Sequence, residues 1–342
     1  ASDVYKRQQL IKWYDKHKRD LPWRHTRDPY KIWLSEIILQ QTRVAQGLSY
    51  YQKFVSTHPT VSSLASASEE EVLSLWKGLG YYSRARNLLK TARQVQDEFK
   101  GKFPSTYNEL IKLTGVGPYT AAAISSFCFD EPRAVLDGNV FRVLSRLYDI
   151  DTPINTTKGQ KEFGELAEAM LNSKFPAKHN QAMMEFGALQ CAPKNPQCPS
   201  CPVLVECVSH NKGTIEARPQ KVKKVKKKKR YFLYTVFIDR KNKKVYLKKR
   251  TQKDIWLNLY DFHLVEYKSQ EDFDARIKSK RVITKKHLLT HQTLYVGFLL
   301  VDAKVHEGEL KHLRPYDMRE VKKLPMPILH EKYILEHLDF LD

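Results

Sequence analysis

The spacing of apolar positions changes once along this chain. Up to about residue 190 they recur every three or four residues, as on helices, and beyond residue 230 they alternate, as on strands. The first part reads as helices over 10–17, 28–44, 48–56, 69–75, 84–99, 106–113, 118–128, 158–171 and 181–190. Another follows Asp137, with Val140, Val143, Leu144 and Leu147 on one face and Arg142 and Arg146 on another. In the second part, strands are expected over 231–238, 244–249 and 294–301, the first two joined by the turn Asp239-Arg240-Lys241-Asn242, with a closing helix over 329–340. The expected classes are all-α, then α+β.

Within this frame three local patterns carry chemistry. The helix over 28–44 starts at Asp28-Pro29, an acceptor followed by Pro at the first turn, and is apolar nearly all round through Ile32, Trp33, Leu34, Ile37, Ile38 and Leu39. It nevertheless carries Glu36, with Gln40 and Arg43 on the same face. A carboxylate in that setting loses hydration and holds a proton near neutrality, unless it is spent in a structural bridge to Arg43. Asp137 stands at the N-cap of its helix; capping alone accounts for an Asp there, and the helix terminus also favours its charged form. Two carboxylates in opposite protonation states suit acid-assisted cleavage of a glycosidic bond.

The third pattern is Leu113-x-Gly115-Val116-Gly117, a tight turn between two short helices, the first with a capping box at Thr106 and Glu109 and the second opening on Pro118. Glycines at that spacing leave backbone N–H groups uncovered and able to hold a phosphate, although an ordinary helical connection has the same signature. A loop at 78–84 adds Tyr81, Tyr82 and Arg84, suited to stacking on bases or to packing under the loop.

Composition narrows the partner. The formal charge is +21, from 59 Lys and Arg against 38 Asp and Glu, which favours a polyanion, DNA or RNA ahead of a membrane surface. The longest apolar run, 294–301, is far shorter than a membrane span, and residues 1–18 show no signal-peptide pattern, so an intracellular soluble protein is expected. The sequence begins without Met, and its first residues are expected to be processed or incomplete. Four of five cysteines, Cys191, Cys198, Cys201 and Cys207, fall within a short stretch stiffened by Pro193, Pro196, Pro199 and Pro202. The spacing points to a metal, zinc or an iron–sulfur cluster, in a structural role; Cys128 reads as inert core. The run KVKKVKKKKR at 221–230 is a composition break, read as a linker that can also touch a DNA backbone.

Taken together, LPWR at 21–24, DPYKIWLSEIILQQTRV at 28–44, GLGYYSRARNL at 78–88, LTGVGPYTAAAI at 113–124, LDGNVFRVLSR at 136–146 and the cysteine spacing resemble the adenine DNA glycosylases of the MutY family, in the helix-hairpin-helix superfamily with endonuclease III. The resemblance covers nearly the whole chain. It implies a multidomain protein: an all-α helix-hairpin-helix glycosylase domain over 1–218 with an iron–sulfur loop at 191–207, a basic linker over 219–230, and a Nudix-like α+β domain over 231–342. It implies removal of adenine mispaired with 8-oxoguanine or guanine in double-stranded DNA, leaving an abasic site.

By that resemblance Glu36 is the general acid, Asp137 the carboxylate stabilising the sugar cation, Tyr119 and Asn139 their support, and the four cysteines the ligands of a [4Fe–4S] cluster. Gly115 and Gly117 grip the DNA backbone; Gln41, Thr42 and Tyr81 wedge around 8-oxoguanine; Arg24 and Gln181 line the adenine pocket. Endonuclease III-like lyases place a nucleophilic Lys where this chain has Tyr119, so a monofunctional enzyme is expected. In the Nudix-like domain Leu289-Thr290-His291 occupies a reading loop where the family commonly has Phe-Ser-His, which leaves Thr290 and His291 as reading residues. The sequence has no Glu-rich Nudix box, so recognition without pyrophosphatase chemistry is expected. A monomer in the cytoplasm, nucleoid-associated if bacterial, completes the picture. The rival readings are a bifunctional pyrimidine or thymine glycosylase-lyase, and a mismatch-binding protein without catalysis.

Overall fold

The structure, a computed structural model, describes residues 2–222, 227–278, 281–305 and 307–338. It divides into two compact units, one of residues 1–66 and 87–223, the other of residues 67–86 and 224–342.

The helices, in chain order, are α1 (Ser2–His17), α2 (Pro29–Leu39), α3 (Val44–Thr57), α4 (Val61–Ala65), α5 (Glu69–Leu75), α6 (Ser83–Phe99), α7 (Tyr107–Leu110), α8 (Pro118–Phe129), α9 (Gly138–Leu147), α10 (Thr157–Met170), α11 (Pro176–Leu189) and α12 (Val208–Asn211). In the first unit α2 packs between α3 and α8, while α11 packs on α1, α8 and α9. Leu10, Trp13, Val140, Leu144, Phe163, Met183 and Phe186 interlock at the centre of the second of these groups. Asp28 caps α2 as expected, its side chain accepting from the Tyr30 amide at 3.0 Å.

Two expected features of this unit differ. The helix read as 28–44 stops at Leu39, because Gln40 leaves the helical region and Gln41 turns left-handed at φ 55°. Arg43 therefore does not continue the face that carries Glu36, whereas Gln40, at the helix end, borders the same cavity as Glu36. The capping box at Thr106 does not form either: the Thr106 hydroxyl donates to the Glu109 carboxylate at 2.7 Å and caps no backbone amide, and α7 is a single turn.

The second unit is built on a mixed sheet of β1 (Lys228–Asp239), β2 (Lys244–Lys249), β3 (Tyr260–Asp261), β4 (His263–Tyr267), β5 (Val282–Leu288), β6 (Gln292–Asp302) and β7 (Arg314–Tyr316). Its order is β3-β2-β1-β6-β5, with β4 also on β1 and β7 on β2; β1 and β6 are parallel, pairing Phe232 with Val296 and Tyr234 with Phe298. Alternation along β1 sends Phe232, Tyr234 and Val236 to one face, where they meet α14 (Met318–Lys323) and α15 (Ile328–His337), and sends Tyr231 and Leu233 to the other, against Phe273 of α13 (Gln270–Ile277). The Asp239 turn forms, its carboxylate accepting from the Asn242 amide at 3.0 Å. Residues 223–226 of the basic run and 339–340 of the expected last helix lie outside the described residues.

Residues 67–86 gather onto this unit through a series of polar contacts. Tyr260 donates to Glu70 at 3.1 Å, Ser74 to the Lys323 carbonyl at 3.0 Å, Tyr82 to the Met326 carbonyl at 3.2 Å and Arg86 to the Leu257 carbonyl at 3.0 Å. Lys77 pairs with Glu331 at 2.7 Å. Among the described residues no helix is long and apolar enough to cross a membrane.

Candidate active site

The first unit contains a cavity of ≈ 350 Å³ bordered by Arg24, Glu36, Gln41, Thr42, Tyr119, Asp137 and Asn139. Seven residues singled out in the sequence thus converge on one space. Glu36, 7 % exposed, projects from the apolar helix α2. Burial pushes its carboxyl up to about 7, against the pull of the Tyr119 hydroxyl, which donates to it at 2.5 Å; nearby Asp137 pushes it up further and Arg24 draws it down. No ion pair joins it to Arg43 among the described residues. Burial, with the negative charge of Glu36 behind it, holds the Tyr119 phenol well above its ordinary range, so it stays a donor.

Asp137 caps α9, accepting from the amides of Asn139 at 2.8 Å and Val140 at 2.7 Å and from the Asn139 side chain at 2.7 Å. A helix terminus alone predicts a depressed carboxyl. Here burial outweighs those hydrogen bonds and the carboxyl is raised. The two acids are therefore pushed in the same direction; what separates them is that Asp137 accepts three hydrogen bonds and Glu36 one. Asn139 is fixed from behind by Arg142, which donates to its side-chain oxygen at 2.8 Å and to the Gly187 carbonyl at 2.6 Å. A Cβ on Gly187 would lie 2.7 Å from Asn139, so α11 can approach this point only with glycine there.

Sequence reasoning missed a further group that borders the cavity. Glu185 of α11, its side chain 1 % exposed, accepts from the Arg19 amide at 2.8 Å, from the Arg19 guanidinium at 2.9 and 2.6 Å, and from that of Arg24 at 2.9 and 2.7 Å. Its signal was present: a lone Glu among Ala182, Met183, Met184 and Phe186. A smaller recess beside the cavity is bordered by Trp23, Arg24, Ser35, Glu36 and Gln181. Gln181 accepts there from the Tyr14 hydroxyl at 2.7 Å.

The glycine turn precedes α8. Gly115 takes φ 74° and packs so closely that a Cβ would sit 2.8 Å from that of Asn87; Gly117 faces open space. Neither amide donates a backbone hydrogen bond among the described residues. Tyr81, 40 % exposed and left-handed at φ 48°, does not line the acid cavity. It borders a cavity of ≈ 440 Å³ in the second unit with Trp256, Thr290 and His291. Tyr82 is buried, so the tyrosine pair divides between exposure and packing.

Residues 34–169 match the family described as "HhH-GPD superfamily base excision DNA repair protein", and residues 234–336 match a NUDIX domain. An adenine DNA glycosylase of Buchnera aphidicola subsp. Schizaphis graminum is 33% identical over 94% of this chain and 95% of its own length. The chain belongs to the adenine DNA glycosylase family. The likeness extends to eukaryotes: the Rattus norvegicus adenine DNA glycosylase is 44% identical over 62% of this chain and 44% of its own length. Among solved structures, a thermostable thymine-DNA glycosylase superposes with a TM-score of 0.57 at 30% identity, covering 62% of this chain and 97% of that one. The protein is accordingly a DNA glycosylase of base excision repair, a helical HhH-GPD domain followed by a Nudix-like one.

The adenine DNA glycosylase family suggests an iron–sulfur cluster, and the cysteines bear on it directly. Cys191, Cys198, Cys201 and Cys207 are free of disulfides and border one hollow walled by Val143, Leu147, Phe186 and Ile215. Among the described residues no three His, Cys, Asp or Glu side chains converge tightly enough for a single metal ion. Arg146 of α9, 2 % exposed, donates to the carbonyls of Cys191 at 3.4 Å, Ala192 at 2.8 Å and Ile215 at 3.2 Å, and to the Cys191 sulfur at 3.4 Å. Arg142 and Arg146, expected on another face of α9 than its apolar residues, are both buried and tie the cysteine loop to the helix that Asp137 caps. Cys128 is buried core, its thiol pushed up by burial.

Proposed function

We propose that this enzyme is monofunctional and hydrolyses the N-glycosidic bond of adenine mispaired with 8-oxoguanine or guanine in double-stranded DNA. The observation that carries the reading is the shared cavity of Glu36 and Asp137. The amides of Gly115 and Gly117 hold the backbone while the adenine rotates out of the stack into that cavity, where Arg24 and Gln181 border the base. Glu36, with a carboxyl near neutrality, donates its proton to adenine N7. As the bond lengthens, charge develops on the sugar. Asp137 stabilises it, held in place by Asn139, and water completes the abasic product. Tyr119 occupies the position where a lyase would need an amine, so no Schiff base forms and the strand stays intact.

The second unit reads the opposite base through the cavity of Tyr81, Thr290 and His291, without pyrophosphatase chemistry; Gln41 and Thr42, at the acid cavity, contact the DNA. Four thiols around one apolar hollow, with a guanidinium against one sulfur, fit a [4Fe–4S] cluster held by Cys191, Cys198, Cys201 and Cys207. When bound, it cross-links the loop and serves structure. The proposed domains are 1–218, the linker 219–230 and 231–342. The enzyme works as a monomer on chromosomal DNA, in the cytoplasm if bacterial.

The test is a single-turnover assay on duplexes carrying A:8-oxoguanine, A:G and A:T pairs. Adenine release from the first two, abolished by Glu36→Gln and without borohydride-trappable adduct, is the expected result. Undiminished release by Glu36→Gln removes Glu36 from the acid role. A trapped covalent adduct revives the glycosylase-lyase reading, and tight mismatch binding without base release revives the non-catalytic one.

A further inference from the structure

Glu36 and Glu185 border the same cavity as Arg24. Arg24 draws the Glu36 carboxyl down and makes both of its carboxylate hydrogen bonds to Glu185. That choice is enforced. Glu185 is almost wholly buried, takes five N–H donors on its two oxygens, and is held well below the usual carboxylate range, to about 2: burial opposes this, and the hydrogen bonds of Arg19 and Arg24 override it. Arg24 also donates to the Arg19 carbonyl at 2.9 Å and lies over the Tyr14 ring at 5.6 Å. Its plane is thus set from three sides. Were it to swing to Glu36, the salt bridge would ionise the group that has to carry a proton.

We infer that Glu185 is a positioning residue of the base cavity, which holds Arg24 at the wall and away from Glu36 so that the acid keeps its proton. The inference rests on the proposed role of Glu36. The groups facing Glu36 are Tyr119 and Cys128 of α8, Asp137 at the start of α9, Arg24, and behind it Arg19 and Glu185. Of these, Glu185 and Arg19 can be changed to alter the pairing of Arg24 without touching a group proposed to meet the base.

The design gives two substitutions opposite signs. Glu185→Gln frees Arg24 to pair with Glu36 and lowers the pH above which the acid is ionised. Arg19→Gln leaves Glu185 to Arg24 alone and raises it. Arg19 is partly exposed, at 35 % for its side chain, and tolerates the change.

The experiment is the pH profile of single-turnover adenine release by the full-length, cluster-loaded protein on an A:8-oxoguanine duplex. Glu185→Gln is expected to move the alkaline limb toward acid by about one unit, an approximately tenfold loss above the limb that narrows at low pH. Arg19→Gln is expected to move the limb the other way, and Glu185→Asp to restore it in part. A uniform fall in rate at every pH, or limbs displaced in the same direction by both Gln variants, marks a purely structural role and overturns the inference. Should Glu185→Gln not fold, an Arg19→Gln limb that stays put or moves toward acid overturns it alone. Failure of the wild-type protein to release adenine at any pH sinks the proposed function instead, so the two failures are distinguishable.

Discussion

The hydroxyl of Tyr119 lies 2.5 Å from a carboxylate oxygen of Glu36, joining α8 to α2 across the wall of the cavity. The bond sets how acidic Glu36 is. A donor to a carboxylate favours its charged form, so Tyr119 pulls down a carboxyl that burial has driven up to about 7. Tyr119→Phe keeps the ring and removes the donor. Its alkaline limb of base release is expected at higher pH than that of the wild type, with a lower rate below the limb, where the acid has lost its orientation. A limb that stays put in the pH profile separates Tyr119 from the tuning of Glu36.

The same burial has a cost in stability that can be measured without DNA. A carboxyl raised in the folded state favours folding while protonated, and that contribution is lost as pH rises through about 7. Glu36→Gln cannot ionise. Its Tm should match or slightly exceed that of the wild type at pH 5 and exceed it clearly at pH 9, the difference in folding free energy approaching roughly 2–4 kcal/mol at full ionisation. Equal Tm differences at both pH values mean that Glu36 is not buried as a neutral acid.

Arg146 offers a test of what holds the cysteine loop. Its buried guanidinium donates to carbonyls on both sides of the loop, at Cys191, Ala192, Pro193 and Ile215. Arg146→Ala leaves those acceptors dry and unpaired and opens a void, a loss of about 3–5 kcal/mol. Urea unfolding of the purified protein should show that loss, and iron bound per chain should fall with the four cysteines intact. Unchanged unfolding together with unchanged iron content would reduce Arg146 to a bystander.

How legible this was in the sequence depended on how local each signal was. Asp28 and Asp137 as caps, and Glu36 as an acid in a greasy helix, are decided within one or two turns, and periodicity or capping chemistry reports them. The break after Leu39 is set by a left-handed Gln41, a residue that carries no such instruction by itself. The upward push on Asp137 comes from its surroundings, whereas the helix end, the only part visible in sequence, pushes the other way. Glu185 carried the same signature as Glu36, but its meaning lies in Arg19 and Arg24, more than 160 positions away. Residues 67–86 join the second unit through contacts with residues near 257–260 and 322–331, a separation no pattern of period two or four can register. Strands β3, β4, β5 and β7 were missed because they are short or half exposed.

The two glycines of the turn before α8 should fail differently when a methyl group is added. Gly115 needs its left-handed φ of 74°, and a Cβ there meets Asn87 at 2.8 Å. Gly115→Ala is therefore expected to cost about 2 kcal/mol in folding and to weaken DNA binding as a consequence. Gly117 has φ −93° and no atom near the place a Cβ would take, so Gly117→Ala should fold within about 0.5 kcal/mol of the wild type. If its amide holds a phosphate, the methyl group stands in the way, and affinity for duplex DNA should drop about tenfold while Tm stays level. Fluorescence anisotropy at fixed salt, beside a thermal melt of each variant, makes the comparison. Wild-type affinity in Gly117→Ala would show that the turn is only a connection between helices, with the DNA backbone held elsewhere.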